Sequence, residues 1–298
     1  YSYSLNGGNF QTQSTFALSA GSHTVTVRDA NSCTYDLNVN ISEPSELLFS
    51  SVNVNEIKCF GSKGSIDLTI TGGTPPYSYS KDNGINFSAP SAEISYTFSN
   101  LTKGNYKIVV KDAKGCSITY SSTITLSEPT EFKVTQSFNN ISCYGLANGS
   151  ITLTPSGGTS PYAFTKDGWA TTSGTTFNPY TYPNLGKGNY NVVAKDANGC
   201  VATLPTITIA EPSQLEIINI SKVNNRCFSG KDGVISINAL GGTPDYSYSL
   251  DNGATYSGIS TFNGLIAKKY YARVRDSKGC TTGPTEVEIT QPADPFVL

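Results

Sequence analysis

The sequence has no methionine, a single histidine, a single tryptophan and few charges, which make up 14% of its 298 residues. Each scarcity excludes something. A catalytic histidine needs an orienting carboxylate and a nucleophile, and nothing of that kind recurs or converges around His23. Twenty Lys and Arg stand scattered among 22 Asp and Glu, giving a formal charge of −2. Phosphate recognition needs clustered basic residues, so nucleic acid is not an expected partner. The apolar runs are strand-sized, far short of the roughly 20 residues of a membrane helix, so no membrane insertion by this segment is expected. The Gly-Gly-Thr-Pro segments lack the Gly-Lys-Ser/Thr of a phosphate loop. No catalytic, metal or cofactor-binding residue is assigned, and the chain is read as no enzyme. The missing methionine, and an opening at Tyr1 inside a pattern that later recurs with more sequence ahead of it, make the chain an expected fragment.

What is present is a repeat. KGNYKIVVKDAKGC before Cys116 returns as KGNYNVVAKDANGC before Cys200 and KKYYARVRDSKGC before Cys280, and GSHTVTVRDANSC stands before Cys33. These cysteines lie 83, 84 and 80 residues apart (33 to 116, 116 to 200, 200 to 280). Cys59, Cys143 and Cys227 form a second series at steps of 84, each followed by a Gly-rich strand-like run ending in Gly-Gly-Thr. A proline junction closes each unit, at Glu43-Pro44, Glu128-Pro129, Glu211-Pro212 and Gln291-Pro292. Proline cannot extend a central ladder, so it is a natural stop. The boundaries follow: 1–44 is the back half of a repeat, 45–129, 130–212 and 213–292 are whole repeats, and 293–298 begins the next.

Within a repeat the apolar positions alternate as strands require. Ile66, Leu68 and Ile70 share one face; Tyr106, Ile108 and Val110 share another; Ile124 and Leu126 sit in the closing strand. The same positions recur one and two periods later. The double glycines at 72–73, 157–158 and 241–242 supply positive φ for a strand crossing. Short strands with turns between them in about 84 residues predict an all-β fold, tandem immunoglobulin-like or fibronectin-III-like sandwiches in an extended rod. Each repeat would advance that rod by roughly 30–40 Å at the strand rise of about 3.3 Å per residue. The spacing from Leu101 to Tyr106, repeated at Leu185 to Tyr190 and Leu265 to Tyr270, matches the E–F corner of such folds, and His23 takes the tyrosine slot.

Seven regularly spaced cysteines without a Cys-x-x-Cys pair fit disulfides in an oxidising, extracellular compartment. Two connectivities are open. Domain autonomy favours Cys59 with Cys116, Cys143 with Cys200 and Cys227 with Cys280, leaving Cys33 unpaired. A strict seven-strand topology puts the A–B and F–G turns at opposite ends and would instead join Cys59 to Cys200 and Cys143 to Cys280 across junctions, whereas a six-strand version with later strands reversed restores the local bond.

Among polar candidates, Asp29, Asp112, Asp196 and Asp276 precede Gly- or Ser-containing turns and are expected to cap them, because Asp-Ala-Asn-Gly lacks the spaced oxygens of a calcium loop. Glu43, Glu128 and Glu211 stand at the junctions, where cadherin-like proteins place calcium ligands, so Ca²⁺ there is an alternative to an ion-free junction. Trp169, Tyr180 and Tyr182 lie in the variable C-to-E segment of the third repeat, as candidates to stack on sugars or to pack on their own loop.

Cys-Phe-Gly, Gly-Ser-Ile and Gly-Gly-Thr-Pro-Pro-Tyr between Cys59 and Tyr77, followed by Gly-Asn-Tyr, Asp-Ala-Lys-Gly-Cys and Ser-Glu-Pro, resemble the SprB repeat family. Asp245 replaces the second proline, His23 the tyrosine and Ser32 the glycine before its cysteine. The resemblance implies a very large cell-surface adhesin of gliding Bacteroidetes, exported by the type IX secretion system. Its partners would be neighbouring repeats, the gliding and secretion machinery, and an external surface or polysaccharide. The repeats would then be its stalk; polysaccharide-binding repeats, or accessory repeats of a secreted hydrolase, are the competing readings.

Overall fold

The computed structural model describes residues 1–167 and 179–294. By contact the chain divides into two compact units, Tyr1–Glu128 and Pro129–Leu298. All regular structure among the described residues is strand.

In the first unit, β1 (Ser2–Leu5), β2 (Gly21–Arg28) and β3 (Thr34–Ile41) form one sheet in that order. The following residues form a two-sheet sandwich. β4 (Leu48–Asn55), β5 (Gly64–Thr71) and β7 (Ser95–Leu101) make the first sheet; the second comprises β6 (Ser78–Ser80), β8 (Gly104–Tyr106), β9 (Val109–Lys111), β10 (Ser117–Thr119) and β11 (Ile124–Leu126). Taking β8–β9 as one interrupted strand and β10–β11 as another, the repeat has six strands, A, B and E facing C, F and G, the immunoglobulin-like arrangement without strand D.

The second unit carries this pattern twice. Strands A to G of its first copy are β12 (Lys133–Asn139), β13 (Gly149–Ser156), β14 (Ala163–Thr165), β15 (Tyr180–Leu185), β16 (Gly188–Tyr190) with β17 (Val193–Lys195), and β18 (Val201–Thr203) with β19 (Ile207–Ile209). The second copy uses β20 (Glu216–Val223), β21 (Gly233–Leu240), β22 (Ser247–Ser249), β23 (Thr261–Leu265), β24 (Lys268–Arg275) and β25 (Thr285–Ile289).

The alternation read from the sequence sets the cores. Ile66, Leu68 and Ile70 are buried, as are Ile108, Val110, Ile124 and Leu126, and most of their counterparts in the later repeats are buried too, with Ala239 and Val287 partly so. Three separate apolar clusters result, one per sandwich. Tyr182 is buried in the second cluster, and Tyr180 stacks on Phe164 at 5.4 Å between ring centroids. Of these two candidate sugar platforms, Tyr182 is a core residue and Tyr180 a partly buried one packed against the core; Trp169 lies outside the described residues.

Strand direction decides the cysteine question. β5 runs antiparallel to both β4 and β7, and β9 antiparallel to both β6 and β10. The A–B turn with Cys59 therefore lies at the end of the sandwich where strand G finishes, and the F–G turn with Cys116 at the end of the B–C turn. Hydrogen bonds mark both ends: Gly61 N–H donates to Glu128 at one (2.7 Å), Thr74 N–H to Asp112 at the other (3.0 Å). Six strands do not reverse the later ones, because the C-to-E segment carries the chain back across the sandwich before strand E starts. An eight-residue strand such as β5 spans about 26 Å, whereas a disulfide needs its Cα atoms within about 7 Å.

The local pairing is thereby corrected. Cys143 is bonded to Cys280, not Cys200, with Cα atoms 5.6 Å apart. Cys59 is in a disulfide as well, and so is Cys200. Cys33, Cys116 and Cys227 are free and exposed thiols, so neither Cys59–Cys116 nor Cys227–Cys280 is formed.

Candidate functional site at the repeat junction

The features that recur with the cysteines lie at the two ends of each sandwich, and within Pro129–Leu298 one end meets the next repeat. Each end is built from the sequence signatures described above.

At the F–G end a buried aspartate organises two turns. Asp276 Oδ1 accepts from the N–H groups of Lys278 and Cys280, and Oδ2 from Thr243 N–H of the B–C turn (2.8–2.9 Å). Asp196 and Asp112 repeat this set, and Asp29 caps its turn through Asn31 and Cys33. The capping expected of these aspartates is what they do. Burial alone would raise the Asp112 pKa, but donation from Thr74, Cys116, Lys114 and Gly115 outweighs it and holds the carboxyl below its ordinary value. Asp276 thus fixes the amide of Cys280, which forms the cross-link to Cys143.

At the A–B end the junction glutamate does the equivalent work. Glu211 accepts from Gly145 N–H and from Lys187 Nζ, both at 2.7 Å, and Glu128 from Gly61 N–H and Lys103 Nζ. The Lys187 ammonium and the Gly145 amide hold the Glu211 carboxyl below the usual range, as Gly61 and Lys103 do for Glu128. Gln291, with no charge to offer, keeps the backbone part of the contact through Ser229 N–H at 3.0 Å. These carboxylates latch the turn that carries the half-cystine. Among the described residues no group of three or more His, Cys, Asp and Glu is placed to hold a metal ion.

Between the two ends the linker is bound on both sides. Ala210 N–H donates to Asn140, Ile141 N–H donates to Ala210 O, and Gly242 N–H donates to Ser213 O. Cys143 and Cys280 close the junction covalently beside a cleft of about 570 Å³, lined in part by Asn140, Ser142, Glu211, Thr243 and Lys278.

Residues 51–86, 135–167 and 219–255 match the SprB repeat. Three segments of the chain, one in each whole repeat, are thus similar to that family. Each match spans strands A to C, including the first cysteine and the double glycine; strands E to G lie beyond it. No curated protein matches the sequence. Among solved structures, a titin fragment, I67–I69, is similar at 15% identity over 85% of this chain and all of that one, with a TM-score of 0.42. The N-terminal eight Ig domains of Down Syndrome Cell Adhesion Molecule align at 14% identity over 98% of this chain and 45% of that one (TM-score 0.37). A tetra-tandem repeat in the extending region of a large adhesion protein aligns at 15% over 91% and 82% (TM-score 0.27).

Two further recurring devices fix the E–F corner and the start of the C-to-E segment. Tyr106, Tyr190 and Tyr270 donate to the carbonyls of Thr102, Gly186 and Ile266, the E–F corner anticipated from the spacing. His23 reproduces it, with Nε2 2.9 Å from Ser19 O, so the lone histidine is a stand-in for tyrosine. Tyr190→Phe is expected to lower stability by about 1 kcal/mol, the net worth of one hydrogen bond, measurable as a drop in thermal midpoint with an unchanged spectrum.

The second device was not singled out in the sequence, although Ser80-Lys-Asp82, Thr165-Lys-Asp167 and Ser249-Leu-Asp251 recur at fixed positions. Ser80 Oγ donates to Asp82, which also accepts from the backbone and side-chain amides of Asn86, pinning the start of the C-to-E segment. Asn86 N–H first, then Ser80 and the Asn86 side chain, hold the Asp82 pKa down to about 2. Asp251 is lowered likewise by Ser249 and Thr255. A carboxyl depressed in the fold stabilises it above the unfolded pKa of about 4 and loses that stabilisation as pH falls through the folded value. With Asp82, Asp112, Glu128, Glu211 and Asp251 all depressed, the melting temperature is expected to hold from pH 7 to about 5 and to fall between about 4 and 2; thermal melts across that range check it, and a flat profile down to pH 2 contradicts it.

Proposed function

We propose that this chain is a non-catalytic spacer region of a large secreted cell-surface adhesin, in which the repeats set distance and transmit tension. One observation carries the reading. Every sandwich buries its own core, while the recurring polar machinery is spent on the two ends, where turn, linker and half-cystine are fixed. A tandem array of self-contained cores lengthens by adding copies without redesigning any of them. The disulfides support an oxidising, extracellular location. The SprB match supports a parent protein that acts in gliding over surfaces, exported by type IX secretion in Bacteroidetes, with adhesion residing in a distal part or spread weakly over many repeats, where multivalency makes weak contacts sufficient.

Clefts beside the C-to-E segment favour a second reading, polysaccharide binding. One of about 300 Å³ is lined by Tyr79, Asp82 and Phe87 among others, and one of about 440 Å³ by the corresponding Tyr248, Asp251 and Tyr256. A glycan array separates the two readings. The spacer reading expects no saturable binding; specific binding abolished by Phe87→Ala and Tyr256→Ala overturns it.

A further inference from the structure

We infer that the Cys143–Cys280 bond takes almost the whole body of two repeats out of the path along which tension travels, making the pair nearly inextensible even when its sandwiches unfold. The inference rests on the reading of the chain as a tension-bearing spacer. Its physical core is topological. Cys143 follows the first strand of its repeat, β12, and Cys280 precedes the last strand of the next, β25. Every strand from β13 to β24 therefore lies inside the closed loop.

Consider a pull applied at the two ends of the chain. Force arriving along β12 reaches Cys143, crosses the sulfur bridge to Cys280 and leaves through β25. The 137-residue separation between the two cysteines would otherwise extend to roughly 490 Å at up to about 3.6 Å per residue. With the bond closed, that length stays hidden however much of the loop unfolds, and the cysteines stay 5.6 Å apart at their Cα atoms. An ordinary bead-on-string array gives up each unfolded domain as slack, whereas a bond placed from early in one repeat to late in the next withholds it.

The machinery around the bond fits this use. Asp276 fixes the amide of Cys280 from inside the F–G turn, and Glu211 fixes the turn of Cys143 through Gly145, so each sulfur is anchored to a sandwich end by hydrogen bonds as well as by the chain. The same positions recur. Cys59 and Cys227 sit in the A–B turn as Cys143 does, and Cys116 and Cys200 follow Asp112 and Asp196 as Cys280 follows Asp276.

The test is single-molecule force spectroscopy on the full chain tethered at its termini. Cys59→Ser and Cys200→Ser leave Cys143–Cys280 as the one cross-link. At full extension without reductant, the contour is expected to fall short by roughly 490 Å, and a phosphine reductant is expected to release that length in one step. A chain that reaches its full contour before reduction overturns the inference. Non-reducing peptide mapping of the unsubstituted chain guards against misfolding of the variant: a Cys143–Cys280 peptide is expected, and a Cys143–Cys200 peptide overturns the inference as well. Saturable glycan binding would sink the spacer reading while leaving the measured contour as it is, so the two failures are distinguishable.

Discussion

Gly241→Ala is expected to destabilise the last whole repeat by at least about 3 kcal/mol. Two effects add. Gly241 sits at φ +83°, where a residue with a Cβ bears a penalty of about 1–2 kcal/mol. A Cβ there would also lie 1.8 Å from the carbonyl oxygen of Gln214, a backbone atom in the segment leading into β20. No side chain can rotate to relieve that overlap; the start of the repeat has to lift off its own B–C turn, breaking the Gly242 N–H bond to Ser213. For a domain of this size about 3 kcal/mol is a fall of 12 °C or more in thermal midpoint. Gly279→Ala is the control. Gly279 also has φ +83°, but a Cβ there meets nothing within 4 Å, so only the conformational term of about 1 kcal/mol applies. Equal losses in the two variants would show that the close approach at Gly241 has no energetic weight. Gly72 and Gly157 make the same approach to Glu46 and Glu131, so the result carries over to each repeat.

That pair of glycines also shows how far the sequence could be read. The double glycine announced a positive-φ crossing, but the two residues have different duties. The first makes room for the incoming backbone, whereas the second lies against Leu215 and the Asp276 carboxylate at the F–G turn. A string of residues reports conformational demand and is silent about what passes overhead. The alternating faces, the E–F tyrosines and the capping aspartates were legible because each depends on neighbours within a few residues or on a fixed strand period. Disulfide connectivity was not, because it depends on which end of the sandwich a turn occupies. The signal that settles it is the length of the C-to-E segment, enough to recross the sandwich and so keep the F–G turn away from the A–B turn. The Glu211 contact was not legible for a related reason: its partner Gly145 lies 66 residues away, and only the fold reveals that the positive-φ residue two places after each first cysteine, Gly61, Gly145 or Ser229, is offering an amide.

The cross-link is expected to make two repeats melt as one. With Cys143–Cys280 intact, unfolding either repeat alone leaves a loop of about 70 residues tethered at both ends, which the chain-entropy account values at about 4 kcal/mol of stabilisation for that repeat. Unfolding both leaves the full 137-residue loop, and since loop entropy grows only logarithmically, the total rises to about 5 kcal/mol and not to twice the first figure. Whichever repeat unfolds first thus forfeits nearly all the protection of its partner. The states with one repeat folded and one unfolded are disfavoured by about 4 kcal/mol relative to independent repeats, a coupling that needs no contact between the cores. Cys143→Ser with Cys280→Ser removes it. In calorimetry of the full chain, the ratio of calorimetric to van't Hoff enthalpy for the Pro129–Leu298 transitions is expected to rise towards two in the double variant, with lower midpoints for both repeats. An unchanged ratio and unchanged midpoints would mean that the bond ties together repeats already coupled by other means, and that its position early in one and late in the next has no thermodynamic consequence.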